Sequence, residues 1–383
     1  MWPFRRRGRY ALTGALPESL LLTEDVLRQT LEDLFAVKER QAQGLKLRWG
    51  GQLRIPPASA LPIIEHRFKP YGFTPFLKRE RDMTWIEAVP LAAVASRQRT
   101  ALNVSLFLLT VLSTFVAGAL PMGAIPFVNW NPFEEPLDVL RGVEFAGTLL
   151  AILVTHEFGH YFTARFYRAA VTLPFFIPVP PPFLFGTLGA IISMRSPTRD
   201  RNSLFDIAVA GPLAGLAVAL PALWLGLRWS HVDTIPDGGS ISFGDSLLTS
   251  LLTYLRFGPI PDGQDVFIHP MALAAWVGLF VTALNLFPVG QLDGGRIAYA
   301  LLGPRHRAVS IGTFFALLAL GIFAGSPNWF VFAGLVFLLV GFHHAPPLDD
   351  LTPLSPGRYA VGVFCLVLLV LLIPPVPIQV FGQ

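Results

Sequence analysis

The residues best suited to chemistry are His156-Glu157-Phe158-Gly159-His160. On a helix, positions i and i+4 lie on one face, so both imidazoles reach a single metal ion with the Glu157 carboxylate beside it. The plainer alternative is a pair of buried histidines bonded across helices. It explains little, because two histidines and a glutamate in an apolar stretch are costly unless something uses them. Two histidines alone leave a catalytic zinc site incomplete, since such sites hold three protein ligands and one open position. The best third ligand is Asp293, in the segment Asn285-Leu286-Phe287-Pro288-Val289-Gly290-Gln291-Leu292-Asp293-Gly294-Gly295-Arg296. The single cysteine, Cys365, excludes an intramolecular disulfide framework and a cysteine-based zinc site.

The elements that must position these groups read as membrane spans. The chain is 53% hydrophobic and only 14% charged, against about 25% charged in ordinary soluble domains. This excludes a disordered or nucleic-acid-coating protein and disfavours a plain cytosolic enzyme. Apolar segments fall at about 101–120, 143–165, 206–227, 271–292, 308–324, 328–342 and 359–376. The first has twenty residues without a charge, the length a helix needs to cross about 30 Å of hydrocarbon.

Charge orients these spans. Residues 1–100 hold 17 Lys+Arg and 10 Asp+Glu, whereas the remainder is net acidic. With the N-terminal region inside, segment 122–142 (Glu134, Glu135, Asp138, Arg141) is external. So is loop 228–270, with Asp233, Asp237, Asp245, Asp262 and Asp265. Loops 166–205 (Arg168, Arg195, Arg199, Arg201) and 293–307 (Arg296, Arg305, Arg307) are internal. The basic bias falls on one side each time, as the positive-inside rule requires. That orientation, derived from other residues, puts His156, His160 and Asp293 at similar depth toward the internal face.

The fold class expected is a polytopic α-helical membrane protein. It has about seven transmembrane helices, a re-entrant β-like loop over 172–196, and a small N-terminal α+β soluble domain. The domains are 1–98 (soluble, cytoplasmic), 99–300 (catalytic transmembrane core) and 301–383 (C-terminal transmembrane helices). Within the first, Thr23 is expected to cap a helix with Glu24 and Asp25 in its first turn and Val26, Leu27, Leu31, Leu34 and Phe35 at helical spacing. Leu45–Trp49 and Gln52–Ile55 read as a hairpin about a Gly50-Gly51 turn. A helix near 58–69 and strands near 73–77 and 84–89 complete it. The basic excess suits a cytoplasmic face near anionic lipid, and no nucleic-acid motif accompanies it. No apolar signal core follows Arg5, Arg6, Arg7 and Arg9, and a Ser-rich transit character is missing. A bacterial inner membrane, N-terminus cytoplasmic, is the expected location, with a plastid membrane as the alternative.

In its His-Glu-x-x-His helix and its Asn-x-x-Pro-x-x-x-Leu-Asp-Gly segment, the sequence resembles the site-2 protease family of intramembrane zinc metalloproteases (peptidase family M50). The resemblance extends through Gly186-Thr187-Leu188-Gly189-Ala190 and Phe205–Gly215 and covers most of residues 143–300. More loosely, the N-terminal domain and Gly341–Asp350 are similar to the branch of plastid ethylene-dependent gravitropism-deficient and yellow-green proteases. Many bacterial relatives carry a PDZ domain; loop 228–270, at about 43 residues, is short for an independent domain. The resemblance implies that His156, His160 and Asp293 hold Zn2+ and that Glu157 is the general base. A water near neutral pKa then attacks the scissile carbonyl and Glu157 passes its proton to the leaving amine.

Asn285 suits either an interhelical hydrogen bond or a grip on substrate backbone or oxyanion. Pro288 and Gly290 let the chain deviate from a helix and turn Asp293 inward. A substrate helix must unwind before attack. Pro174, Pro178, Pro180, Pro181 and Pro182 forbid a helix in loop 166–205, Phe175, Phe176, Ile177, Phe183, Leu184 and Phe185 keep it apolar, and Gly186–Met194 reads as a strand. An unwound substrate pairing with that strand would involve Gly186, Thr187 and Gly189. Gly211 and Gly215 form a small-xxx-small pair for close helix packing. His343-His344 read as part of a loop meeting solvent or the soluble domain. Partners are therefore membrane-protein substrates and the bilayer, not nucleic acid. Two other classes compete: a metal transporter, which leaves Glu157 unexplained and lacks visible paired repeats, and a non-catalytic relative, which leaves an intact His156, Glu157, His160 and Asp293 set unexplained.

Overall fold

Leu27, Leu31, Leu47, Trp49, Ile64, Phe68, Leu77 and Ile86 are all fully buried and gather the N-terminal elements around one core. The fold is that of a computed structural model, which describes residues 18–90, 99–119, 140, 142–180, 183–235 and 240–381. The chain forms two compact units. The first is Met1–Arg97 with Pro197–Ser203 and Ala345–Leu354. Its elements are α1 (Glu18–Gln29), β1 (Phe35–Gln43), β2 (Lys46–Leu53), α2 (Pro57–Phe68), β3 (Phe73–Glu80) and β4 (Met83–Pro90). The strands make one antiparallel sheet in the order β1-β2-β4-β3.

The β3 edge of that sheet is covered. Leu77 N–H donates to the Leu348 carbonyl at 2.7 Å and Asp350 N–H donates back to Leu77 at 3.0 Å. Leu348 and Asp349 N–H in turn donate to Thr198 and Arg199 carbonyls at 2.9 and 2.8 Å. Two segments distant in sequence thus extend the sheet and satisfy its edge.

Two local expectations change here. Thr23 lies inside α1 rather than capping it, because the helix already begins at Glu18; the helix ends at Gln29, and Phe35 opens β1. Gly50-Gly51 is not a turn. Both glycines sit within β2, and the reversal occurs around Gly44 (φ +60°). A Cβ on Gly51 would lie 2.0 Å from the Ala36 carbonyl oxygen, so the pair serves close cross-strand approach.

The second unit is Gln98–Ser196, Leu204–His344 and Ser355–Gln383, and is mostly helical. It contains α3 (Thr100–Ala119), α4 (Val143–Phe166), α5 (Arg201–Trp229, its first residues counted with the first unit), α6 (Leu247–Phe257), α7 (Pro270–Leu286), α8 (Asp293–Leu302), α9 (His306–Phe323), α10 (Pro327–Leu335, continued by a π turn to Val340) and α11 (Pro356–Leu372). Short antiparallel pairs join β5 (Phe175–Pro178) to β6 (Thr187–Ile191), β7 (His231–Thr234) to β9 (Gln264–Phe267), and β8 (Ser240–Phe243) to β10 (Ile378–Phe381).

Among the described residues, three helical stretches are long and apolar enough to cross a membrane: Thr100–Ala119, Arg201–Trp229 and Asp293–Phe323, with shorter apolar helices beside them. The segment expected over 271–292 is helical only to Leu286. Pro288 has no N–H to continue the ladder, so residues 287–292 form an irregular turn and Asp293 opens a new helix. The strand expected over 186–194 is limited to Thr187–Ile191. Charges read at 5–9, 134–138, Arg141 and Asp237, and Pro181 and Pro182, lie outside the described residues.

Candidate metal centre

α4 runs unbroken for 24 residues, so its spacing places His156 and His160 one turn apart on a single face. Both are buried, as are Glu157 and Asp293. His156 Nε2 and His160 Nε2 stand 3.2 Å apart. Asp293 Oδ2 lies 3.1 Å from His160 Nε2 and 3.4 Å from His156 Nε2. His156, His160 and Asp293 are the group of possible metal ligands found among the described residues.

Neighbouring elements fix the two histidines. His160 Nδ1–H donates to the Ile207 carbonyl of α5 at 2.6 Å. A carbonyl only accepts, so the proton is on Nδ1 and the Nε2 lone pair faces the other two ligand atoms. α5 approaches closely because it presents glycine. A Cβ on Gly211 would lie 2.1 Å from His160 Nε2, and one on Gly215 would lie 3.3 Å from His156 Cβ. From α4, Gly159 returns the favour: its Cβ would sit 2.6 Å from the Ala210 carbonyl. The small-xxx-small spacing read in sequence as helix packing therefore also clears room for the imidazoles.

Asp293 is delivered by the irregular turn. Gly290 takes φ +53°, and a Cβ there would meet the Gly341 carbonyl at 2.2 Å. Gly294 packs against the Leu286 carbonyl and Gly295 against those of Val289 and Gly290, again where no side chain fits. Arg296, one turn along α8, lies 3.6 Å from Asp293 Oδ1. Asn285 Nδ2 comes to 3.5 Å from His156 Nε2. The sequence reading missed the Ile207 carbonyl, which no side chain signals, and Arg296, which stood in the quoted motif at helical spacing from Asp293.

The other residues singled out lie elsewhere in this unit. Pro288 sits in the turn, its carbonyl 3.4 Å from Ser310 Oγ. Gly186, Thr187 and Gly189 belong to the β5–β6 hairpin, which packs beside α3 and α4. Ser113 of α3 donates to the Gly186 carbonyl at 2.6 Å, and Thr187 Oγ1 donates to Ile177 at 3.0 Å and accepts from Gly189 N–H. Asn103 of α3 donates to the Leu173 and Pro174 carbonyls at 3.0 and 2.9 Å, holding the other end of the hairpin. Leu188 and Ile191 on β6 are exposed.

The donor set fits zinc. Bonds of 2.0–2.1 Å in a tetrahedral site imply ligand–ligand edges of about 3.3 Å, and the three edges here are 3.1, 3.2 and 3.4 Å. Lone pairs and a carboxylate converging this closely, away from water, repel one another unless a proton or cation lies between them.

Residues 144–323 match peptidase family M50. That stretch of the chain is a peptidase M50 region, and it holds His156, Glu157, His160 and Asp293. It is 32% identical to the "Probable zinc metalloprotease EGY1, chloroplastic" of Oryza sativa subsp. japonica, over 72% of this chain and 50% of that protein. Against the Arabidopsis thaliana protein of the same description the identity is 32%, over 71% and 52%. The "Probable zinc metalloprotease EGY2, chloroplastic" of Oryza sativa subsp. indica is 28% identical over 93% of this chain and 66% of its own length. The chain thus spans about half the length of the first relatives it matches. The family read from the two motifs is the one found, and so is the branch. These relatives are named chloroplastic, and they lend no support to the expected bacterial membrane.

Proposed function

We propose that this M50 chain is an intramembrane metalloprotease that hydrolyses peptide bonds in or near transmembrane segments of other membrane proteins. The observation that carries this is the convergence of His156 Nε2, His160 Nε2 and Asp293 Oδ2 within 3.1–3.4 Å, with Glu157 next in sequence and buried on the same apolar helix. His156, His160 and Asp293 hold the metal. Zinc, when bound, supplies a Lewis acid that polarises a carbonyl and makes water acidic enough to lose a proton near neutral pH. Glu157 takes that proton and returns it to the departing amide nitrogen. Asn285, close to His156, donates to the substrate backbone where negative charge develops. The turn at Pro288 presents Asn285 and Asp293 from the two helices that flank it.

A peptide bond inside a helix is shielded by its own hydrogen bonds, so the substrate must be extended before it is cut. The β5–β6 hairpin is a two-stranded sheet beside α4 and offers a strand edge to such a segment. Gly186, Thr187 and Gly189 shape that edge, and the exposed Leu188 and Ile191 meet the substrate's side chains. About seven apolar helical segments embed the unit in the bilayer. The basic loops 166–205 and 293–307 face the inner side of the bilayer, and a plastid membrane is the location this reading favours, the relatives being named chloroplastic. Candidate substrates are single-span proteins, signal-peptide remnants or tethered regulators.

The test is metal depletion. The purified protein, stripped with a chelator, is expected to lose cleavage of single-span proteins in detergent and regain it with added Zn2+. Zinc flux into liposomes, without cleavage of any substrate in the panel, would instead establish the transporter.

A further inference from the structure

Two buried polar groups behind the turn have no part in this chemistry. Ser310 and His306 lie on α9, one helical turn apart, at 0% and 2% exposure. Ser310 Oγ accepts the Gly290 N–H at 3.1 Å. Its other neighbours are His306 Nε2 at 3.0 Å and the Pro288 carbonyl, an acceptor, at 3.4 Å. A serine hydroxyl has one proton to give and two lone pairs, so with Gly290 N–H on one lone pair it either donates to His306 Nε2 or accepts from it and donates to Pro288; in both arrangements His306 orients the hydroxyl.

The turn that Ser310 grips is otherwise held by close packing. Gly290 is in the left-handed region, against Gly341. Leu292 N–H donates to Val289 at 3.2 Å, and Gly295 is wedged on the carbonyls of Val289 and Gly290. Asp293 follows Gly290 by three residues, so a displaced turn carries Asp293 with it. A buried donor left without an acceptor is destabilising, and the turn relieves that cost only by moving.

We infer that Ser310, oriented by His306, is a positioning residue of the metal centre: it locks the Pro288–Gly290 turn and thereby sets the place of Asp293. Partners that orient ligands in this way typically change metal affinity 10–100-fold when removed. The two side chains are unequal in their effect. Without Ser310 the Gly290 N–H has no acceptor. Without His306 the hydroxyl still accepts from Gly290 and turns its proton to Pro288. The inference rests on the proposed metal centre, and its test reads metal binding rather than cleavage.

The experiment is zinc competition against a chromophoric chelator, with the visible spectrum of the Co2+-loaded protein as a second readout, on the full chain in detergent. Ser310→Ala is expected to bind zinc about 10–100-fold more weakly and to shift the cobalt bands. His306→Ala should weaken binding by less, and Ser310→Ala/His306→Ala should match Ser310→Ala alone, because His306 acts through the hydroxyl. Wild-type affinity and spectrum in Ser310→Ala overturn the inference; losses that add in the double variant overturn the relay. If Ser310→Ala yields no folded protein, His306→Ala decides: shifted cobalt bands uphold the relay and unchanged ones overturn it. His156→Ala separates the two failures. Zinc retained there overturns the metal centre and the inference together, whereas zinc lost there but kept by Ser310→Ala overturns the inference alone.

Discussion

At the scale of single residues, the site depends as much on what is missing as on what is present. Gly211 has no side chain where a Cβ would lie 2.1 Å from His160 Nε2. Ala is the better helix former, so Gly211→Ala is expected to leave the helix intact and still displace the imidazole. Bound zinc, measured on the purified protein, should fall at least about 10-fold while helical circular dichroism is unchanged; full zinc content would show that His160 tolerates the methyl. The ligand types were legible in the sequence because His, Glu and Asp are expensive in apolar surroundings. The acceptor that fixes the His160 tautomer was not, because the Ile207 carbonyl is backbone and every residue has one.

At the scale of elements, spacing was the reliable signal. The i,i+4 histidines fall on the continuous α4, and Pro288 ends α7 where a proline must. Sequence failed where two features produce the same letters. Gly50-Gly51 has the composition of a hairpin turn, but the crowding against Ala36 that requires glycine appears only once the strands are paired. Thr23 followed by acids has the composition of a cap, yet the helix starts upstream. The polar residues of α3 went unread altogether. Asn103 and Ser113 bind opposite ends of the β5–β6 hairpin, and Phe107 packs on Phe176 with ring centroids 5.0 Å apart. If that hairpin receives the extended substrate, Asn103→Ala frees the Leu173 and Pro174 carbonyls and loosens the edge. Its KM should rise several-fold with zinc content unchanged; an unchanged KM would leave the hairpin without a part in binding.

At the scale of the whole molecule, the charge that looked like a membrane-facing excess is partly internal. Glu87 on β4 is buried and meets Lys46 Nζ at 2.7 Å, Lys78 Nζ at 2.7 Å and Arg48 Nε at 2.9 Å. Burial alone would raise its pKa, but Lys78 and Lys46 outweigh it and hold the carboxyl below the ordinary range. A lowered pKa adds stability that is complete above the unfolded value of about 4.3 and is lost as pH falls through the folded value. Glu87→Gln should therefore lower the thermal midpoint of the first unit at neutral pH, and the gap to wild type should close below about pH 4; a gap independent of pH would contradict the pairing. Of the two segments that cover β3, the loop after His343-His344 was read as meeting solvent or the soluble domain, whereas its strand-like pairing and the part of Pro197–Ser203 were invisible to sequence, because a sheet edge selects partners by backbone, not by side-chain type. The proposed function turns on Glu157, which would perform the proton transfers of a peptide hydrolysis at a metal held by His156, His160 and Asp293. Its most direct test compares wild type with Glu157→Gln in proteoliposomes, measuring bound zinc and cleavage of single-span proteins in the same samples. Equal zinc with cleavage by wild type alone is the predicted result; cleavage that survives Glu157→Gln at the wild-type rate would contradict it.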